Sequence, residues 1–284
     1  TSNYKDAKII MEKVIKEIES LDELEKDPLI YEHYADILVK NNDFIGAYLN
    51  YKRALEYDSK QKDNIKKKAL NLISHLSKDF LISNLMTSLN RKISFNFKLK
   101  IDAKCKKSFL NKKFFYTLDG ISNIDPILDY FSFIIVDPMY FPLMTFQSNN
   151  KKYYFDLKTN FNHIDNDIFE NYIVTFLLTI NNYFLFPEKY YDDNYFEVRG
   201  RCFIFKNLVK TNDNVSFCVE NDPFSFSKIE YQSDINFEIN FDNFSFYKID
   251  YNTYYLPSIY IISLKNVLNK CNFNFVVDVN DYVR

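Results

Sequence analysis

Three histidines, three glycines and four cysteines bound the chemistry open to this chain of 284 residues. His163 stands in NHIDNDIFE, where Asp165, Asp167 and Glu170 could together hold a hard cation. The stretch lacks the glycine of a calcium loop and the spacing of a zinc site. Acidic residues and Asn just ahead of a helix serve as caps, and Glu170 suits the first turn, so no metal is expected there. Gly46, Gly120 and Gly200 alone cannot build a GxGxxG, P-loop or GxSxG motif, which removes the common glycine-dependent phosphate sites. Asp192 and Asp193 are adjacent carboxylates, but neighbouring side chains point apart, and their tyrosine-rich surroundings read as a loop tip. Cys105, Cys202, Cys218 and Cys271 are widely separated and form no CxxC pair. Buried free thiols are the expectation, although an even count permits a bridge. No catalytic residue, metal or cofactor is expected, and the chain is read as a non-enzyme.

RGRCFIF, from Arg199 to Phe205, partly matches the RNA-recognition signature at Arg199, Gly200 and Phe203. Arg201 and Lys206 stand where that signature wants aromatics. Phe203 and Phe205 would share one strand face, and core packing accounts for them as well as base stacking does. A net charge of −2 gives no positive field for nucleic acid, so none is expected as a partner.

These residues must be positioned by two stretches of different period. Up to about Asn90 the spacing is helical. Ala7, Ile10, Met11, Val14, Ile15 and Ile18 mark one face of a first helix. A second is expected from Pro28 to Asn41, a third from about Asp43 to Tyr57, and others over 63–75 and 78–89. After Arg91 the period becomes two. ISFNFKLKI, from Ile93 to Ile101, alternates without a break, and KKYYFDL, EVRGRCFIF and SFCVE read as further strands. INFEINFDNFSF is expected to be a hairpin turning at Asp242-Asn243. Two helices should interrupt the strands, one over 167–183 and one from Pro257 to about Lys270. The fold class expected is therefore α+β in two domains: helical hairpins over 1–91, and over 92–284 a mostly antiparallel sheet packed with two helices.

The helical stretch resembles a tetratricopeptide repeat through Tyr31, Tyr34, Ala35 and Leu38 in one helix and Ala47, Tyr51 and Ala54 in the next. The resemblance covers about residues 28–61, and the flanking helices match it poorly. Small residues at a helix crossing permit close approach, which is the physical content of the pattern. The resemblance implies a protein-binding groove lined by Leu29, Glu32, His33, Asp36, Val39 and Lys40, continued by Lys66, Lys67 and Leu70. Glu32 and Asp36 stand where relatives that grip a carboxylate carry Lys and Asn, which argues against that mode.

The aromatic share is 18%, with 29 Phe, 23 Tyr and no Trp. Part of this reflects AT-rich codons, and the composition resembles that of AT-rich bacteria such as spirochaetes, or of AT-rich protozoan parasites. The chain begins with Thr. A lipoprotein leader whose acylated cysteine preceded Thr1 would tether it to a membrane, and an ordinary trimmed start explains the same observation. The function expected is a non-enzymatic interaction or scaffold protein of a bacterial cell envelope, membrane-associated or periplasmic, with the cytoplasm as the alternative. The alternative function places a small apolar ligand, or an unrecognised hydrolytic site, in an aromatic pocket between the C-terminal sheet and its helices.

Overall fold

A computed structural model describes residues 2–21, 26–57, 60–87, 92–107, 110–125, 128–149, 152–158, 166–180, 196–206, 214–220, 222–232, 236–249, 252–267 and 271–283. The chain divides into two units: Thr1–Asn84 with Glu220–Ser225, and Leu85–Val219 with Phe226–Arg284.

The first unit carries α1 (Ser2–Glu19), α2 (Pro28–Lys40), α3 (Phe44–Glu56), α4 (Lys62–Leu72) and the start of α5 (Lys78–Thr87). The starts of α2 and α3 have local causes. Pro28 opens α2, and the Asp27 carboxylate accepts from the Leu29 N–H at 2.9 Å. Asp43 caps α3, its Oδ1 accepting from the Gly46 N–H at 3.0 Å. A Cβ on Gly46 would stand 2.9 Å from that same oxygen, so the glycine leaves room for the cap. Lys8 donates to Asp43 Oδ2 at 3.0 Å and ties α1 to the same point. Burial acts against the Asp43 charge, but the Lys8 ammonium and the Gly46 N–H outweigh it and hold the carboxyl below its ordinary range.

The second unit is one antiparallel sheet of twelve strands. Their ranges are β1 (Ile93–Lys107), β2 (Leu110–Asp125), β3 (Tyr130–Val136), β4 (Pro142–Asn149), β5 (Lys152–Leu157), β6 (Phe196–Arg199), β7 (Cys202–Lys206), β8 (Asn214–Cys218), β9 (Lys228–Gln232), β10 (Asn236–Ile249), β11 (Asn252–Val267) and β12 (Cys271–Val283), with α6 (Asn166–Thr179) between β5 and β6. In space the order is β5-β4-β3-β2-β1-β12-β11-β10-β9-β8-β7-β6. Every neighbour but the β1–β12 pair is also a neighbour in sequence, which is the economy of a meander.

The expected fold class is corrected by this sheet. The helix expected from Pro257 to Lys270 is β11. Its Ile259, Ile261 and Ile262 are β-branched and stiff at χ1, and they favour the pleated surface over a helix. Only one helix, α6, accompanies the strands among the described residues. The hairpin expected at Asp242-Asn243 is also absent, because β10 runs through it as one strand. Asn243 takes φ 54°, bends the strand, and donates from Nδ2 to Ser258 Oγ of β11 at 2.5 Å. Arg199–Phe205 is not one strand either. It runs from the end of β6 through a turn at Gly200, at φ 60°, into β7, so Arg199 and Phe203 of the RNA-recognition signature fall on different strands. Phe203 is buried and meets the Phe226 ring at 6.2 Å.

The cysteine expectation is corrected in the same region. Cys202 of β7 and Cys218 of β8 are register partners joined by a disulfide.

Candidate apolar-ligand face

The register fixes which side chains share a face. From Phe97, the partners run outward through Gly120 and Ile135 to Met144 in one direction. In the other direction Val279 follows, and two residues further along β12 Val277 leads to Tyr260 and Phe241. Phe237, Tyr231 and Val215 continue the same face across β10, β9 and β8. The opposite face of β1 and its neighbours carries Asn96, Lys98, Lys100, Asn272, Asn274 and Asp278. Around β1 the sheet is therefore apolar on one side and mostly polar on the other, as the period-two sequence of that strand dictates.

The apolar side is the inner side of a curl. Strands two apart in a flat sheet lie roughly 9.6 Å from one another. Yet Phe95 of β1 stacks on Tyr260 of β11 at 6.0 Å, above β12, and Tyr247 of β10 meets Tyr282 of β12 at 4.7 Å. Helix α6 lies on this inner side. It packs against β4, and its Phe176 sets its edge on Phe237 of β10 at 5.1 Å. A helix of 14 residues is about 21 Å long. It reaches strands from both halves of the sheet and leaves Leu118, Phe133, Phe241 and Ile262 half-buried.

Two features shape this face. Phe97 lies over Gly120, where a Cβ would fall 2.2 Å from the ring, and stacks on Phe133 at 4.9 Å. At the bent end, Tyr260 and Tyr282 share a hydroxyl hydrogen bond of 2.9 Å, and Tyr282 donates to the Pro257 carbonyl. Tyr282 has one proton to give, so Tyr260 is the donor between the two hydroxyls. Burial pushes the Tyr260 hydroxyl up to about 12 and Tyr282 further in the same direction. Both are neutral at physiological pH and their protons are engaged. The arrangement can hold an apolar body by dispersion and area burial.

The helical residues expected to line a groove lie on α2 and α4. Glu32 is buried and Asp36 half-buried, and both are tied to Lys68, which donates to Glu32 Oε1 at 2.9 Å and Asp36 Oδ2 at 2.8 Å. Tyr51 donates to Asp36 Oδ1 at 2.5 Å. Burial opposes the Lys68 charge, but the two carboxylates raise its pKa above the ordinary value. Lys66 pairs with Asp222 at 2.9 Å. Leu29, His33, Lys40 and Lys67 are exposed, while Val39 and Leu70 are half-buried. Lys68, which organises the cluster, has no local sequence signal; its alignment with Glu32 and Asp36 depends on how α4 docks.

Of the histidines, His33 is exposed and His75 stacks on Phe44 at 4.6 Å. His163 and Asp165 lie outside the described residues, as do Asp192 and Asp193. Among the described residues, no three His, Cys, Asp or Glu side chains are grouped to hold a metal ion, and no helix is long and apolar enough to cross a membrane.

No family model matches the chain, and no curated protein matches it. Among solved structures, it is similar to a LolA-superfamily protein of Nitrosomonas europaea, at 11% identity and a TM-score of 0.40, over 74% of this chain and 94% of that one. It is also similar to a domain assigned to outer membrane lipoprotein sorting in Vibrio parahaemolyticus, at 10% identity and a TM-score of 0.40, over 76% and 92%. The tetratricopeptide resemblance is withdrawn, because among the described residues one hairpin, α2–α3, carries its pattern. Ala35, Ala47 and Ala54 are fully buried because any close helix crossing requires small residues there. One such hairpin is not an array, which needs about three units.

Proposed function

We infer that the sheet unit is a non-enzymatic binding module for an apolar, acyl-type chain, held between the inner sheet face and α6. The observation that carries this reading is the mismatch of areas: an apolar face spanning strands β3 to β10, with Leu118, Phe133, Phe241 and Ile262 half-buried beside α6, the one helix that accompanies the sheet among the described residues. Apolar sites of this kind gain affinity from area and shape, with few polar groups to fix orientation. The neutral, engaged hydroxyls of Tyr260 and Tyr282 favour a carrier over a hydrolase. The Cys202–Cys218 bridge supports an oxidising compartment, which a bacterial cell envelope would provide.

The test is to extract the purified native chain with organic solvent and analyse the extract by mass spectrometry. A stoichiometric acyl lipid is the expected result. A chain that carries none and takes up none from mixed fatty acids contradicts the reading.

A further inference from the structure

Six residues far along the chain, Glu220–Ser225, belong to the helical unit. Within them Asp222 is 2% exposed and Phe224 is fully buried, an acid and an aromatic separated by Pro223. The Phe224 N–H donates to Asp222 Oδ1 at 2.9 Å, folding the three residues into a tight turn. Each remaining group meets its own partner on a helix. Asp222 Oδ2 lies 2.9 Å from Lys66 Nζ of α4. The Pro223 carbonyl accepts from the Tyr48 hydroxyl of α3 at 2.6 Å. The Phe224 ring packs 4.9 Å from the Tyr48 ring, which is braced at its other side by Phe80 of α5 at 5.8 Å.

A cation for a carboxylate, a hydroxyl for a main-chain carbonyl and an aromatic seat for a ring are the means by which helical surfaces recognise short peptides. All three fall on three consecutive residues, so the recognised unit is local and portable. A buried carboxylate without its cation is costly, which makes Lys66 the selective element. We propose that Tyr48, Lys66 and Phe80 form a recognition site for a peptide bearing a carboxylate two residues before an aromatic. The chain's own Asp222–Phe224 fills it, and a partner protein's segment of the same chemistry displaces it. The tethered copy is present at high effective concentration, so the site is closed to weak competitors. This proposal is independent of the apolar-ligand reading.

The test uses the full chain carrying Asp222→Ala and Phe224→Ala, titrated with a fluorescent peptide of sequence Glu-Asn-Asp-Pro-Phe-Ser. Saturable binding is expected, at least tenfold tighter than to the unaltered chain, and weakened at least tenfold when Lys66→Ala is added. A folded double variant that binds no peptide, or binds a scrambled one equally, overturns the proposal. Should the double variant lose its fold, amide exchange in the unaltered chain decides. Saturating peptide should accelerate exchange at Phe224, and no acceleration overturns the proposal.

Discussion

Phe97 occupies the space that a side chain on Gly120 would need: a Cβ there would lie 2.2 Å from Phe97 Cζ and 2.9 Å from the Ile134 carbonyl oxygen. The contact sets the depth at which the Phe97–Phe133 stack sits on the inner face. Gly120→Ala should destabilise the chain by about 1–3 kcal/mol, the range for overpacking. Phe97→Leu in the same chain should recover part of that loss in a denaturant titration, because the two changes share one space.

The α3 cap predicts a second outcome. Asp43→Ala removes the acceptor for Gly46 N–H and the partner of Lys8, and should cost about 1 kcal/mol. The Asp43 pKa is depressed in the folded chain, so its contribution is present above the ordinary carboxylate range and fades as pH falls through the folded value. Melting curves of the two chains should therefore converge under acid.

Tyr260 predicts the alkaline limit. Its folded pKa of about 12 lies above the ordinary value of 10.0. The unfolded chain therefore ionises first, and stability present below pH 10 is lost between about 10 and 12. Tyr260→Phe should remove its share of this fall in a melting series, leaving that of Tyr48, Tyr51 and Tyr282, which burial raises as well, while costing about 1 kcal/mol at neutral pH.

The disulfide closes a loop between residues 16 apart. Loops of that size correspond to about 3 kcal/mol of stabilisation in the chain-entropy account. Cys202→Ser with Cys218→Ser should lower the denaturant midpoint accordingly, and a reducing agent should do the same to the unaltered chain.

Legibility in the sequence followed the strength of the local pattern. β1 was plain because Phe95, Phe97, Leu99 and Ile101 alternate with polar residues over its whole inner half. β11 was hidden: Ile259, Tyr260, Ile261 and Ile262 are apolar on both sides, and Pro257 imitates a helix start. Asp-Asn is turn chemistry, so the sequence at the Asn243 bend reads as a turn, and only pairing with β11 shows that β10 continues. Ala35, Ala47 and Ala54 correctly signalled close-packed helices, but packing of one hairpin and membership of a repeat family leave the same small residues. The inner face itself emerges only when the strands are placed in order, since most of the others contribute residues that are unremarkable alone. The Tyr260–Tyr282 pair joins residues 22 apart in sequence through a register that no local signal encodes.

The central claim is that the inner sheet face takes an apolar chain, and titration of the full chain with a fluorescent fatty acid tests it directly. The expected result is saturable binding, weakened at least tenfold by Leu118→Ser with Ile262→Ser and unchanged by Lys98→Ser on the outer face. No saturable binding, or equal loss from the outer-face variant, would contradict the account.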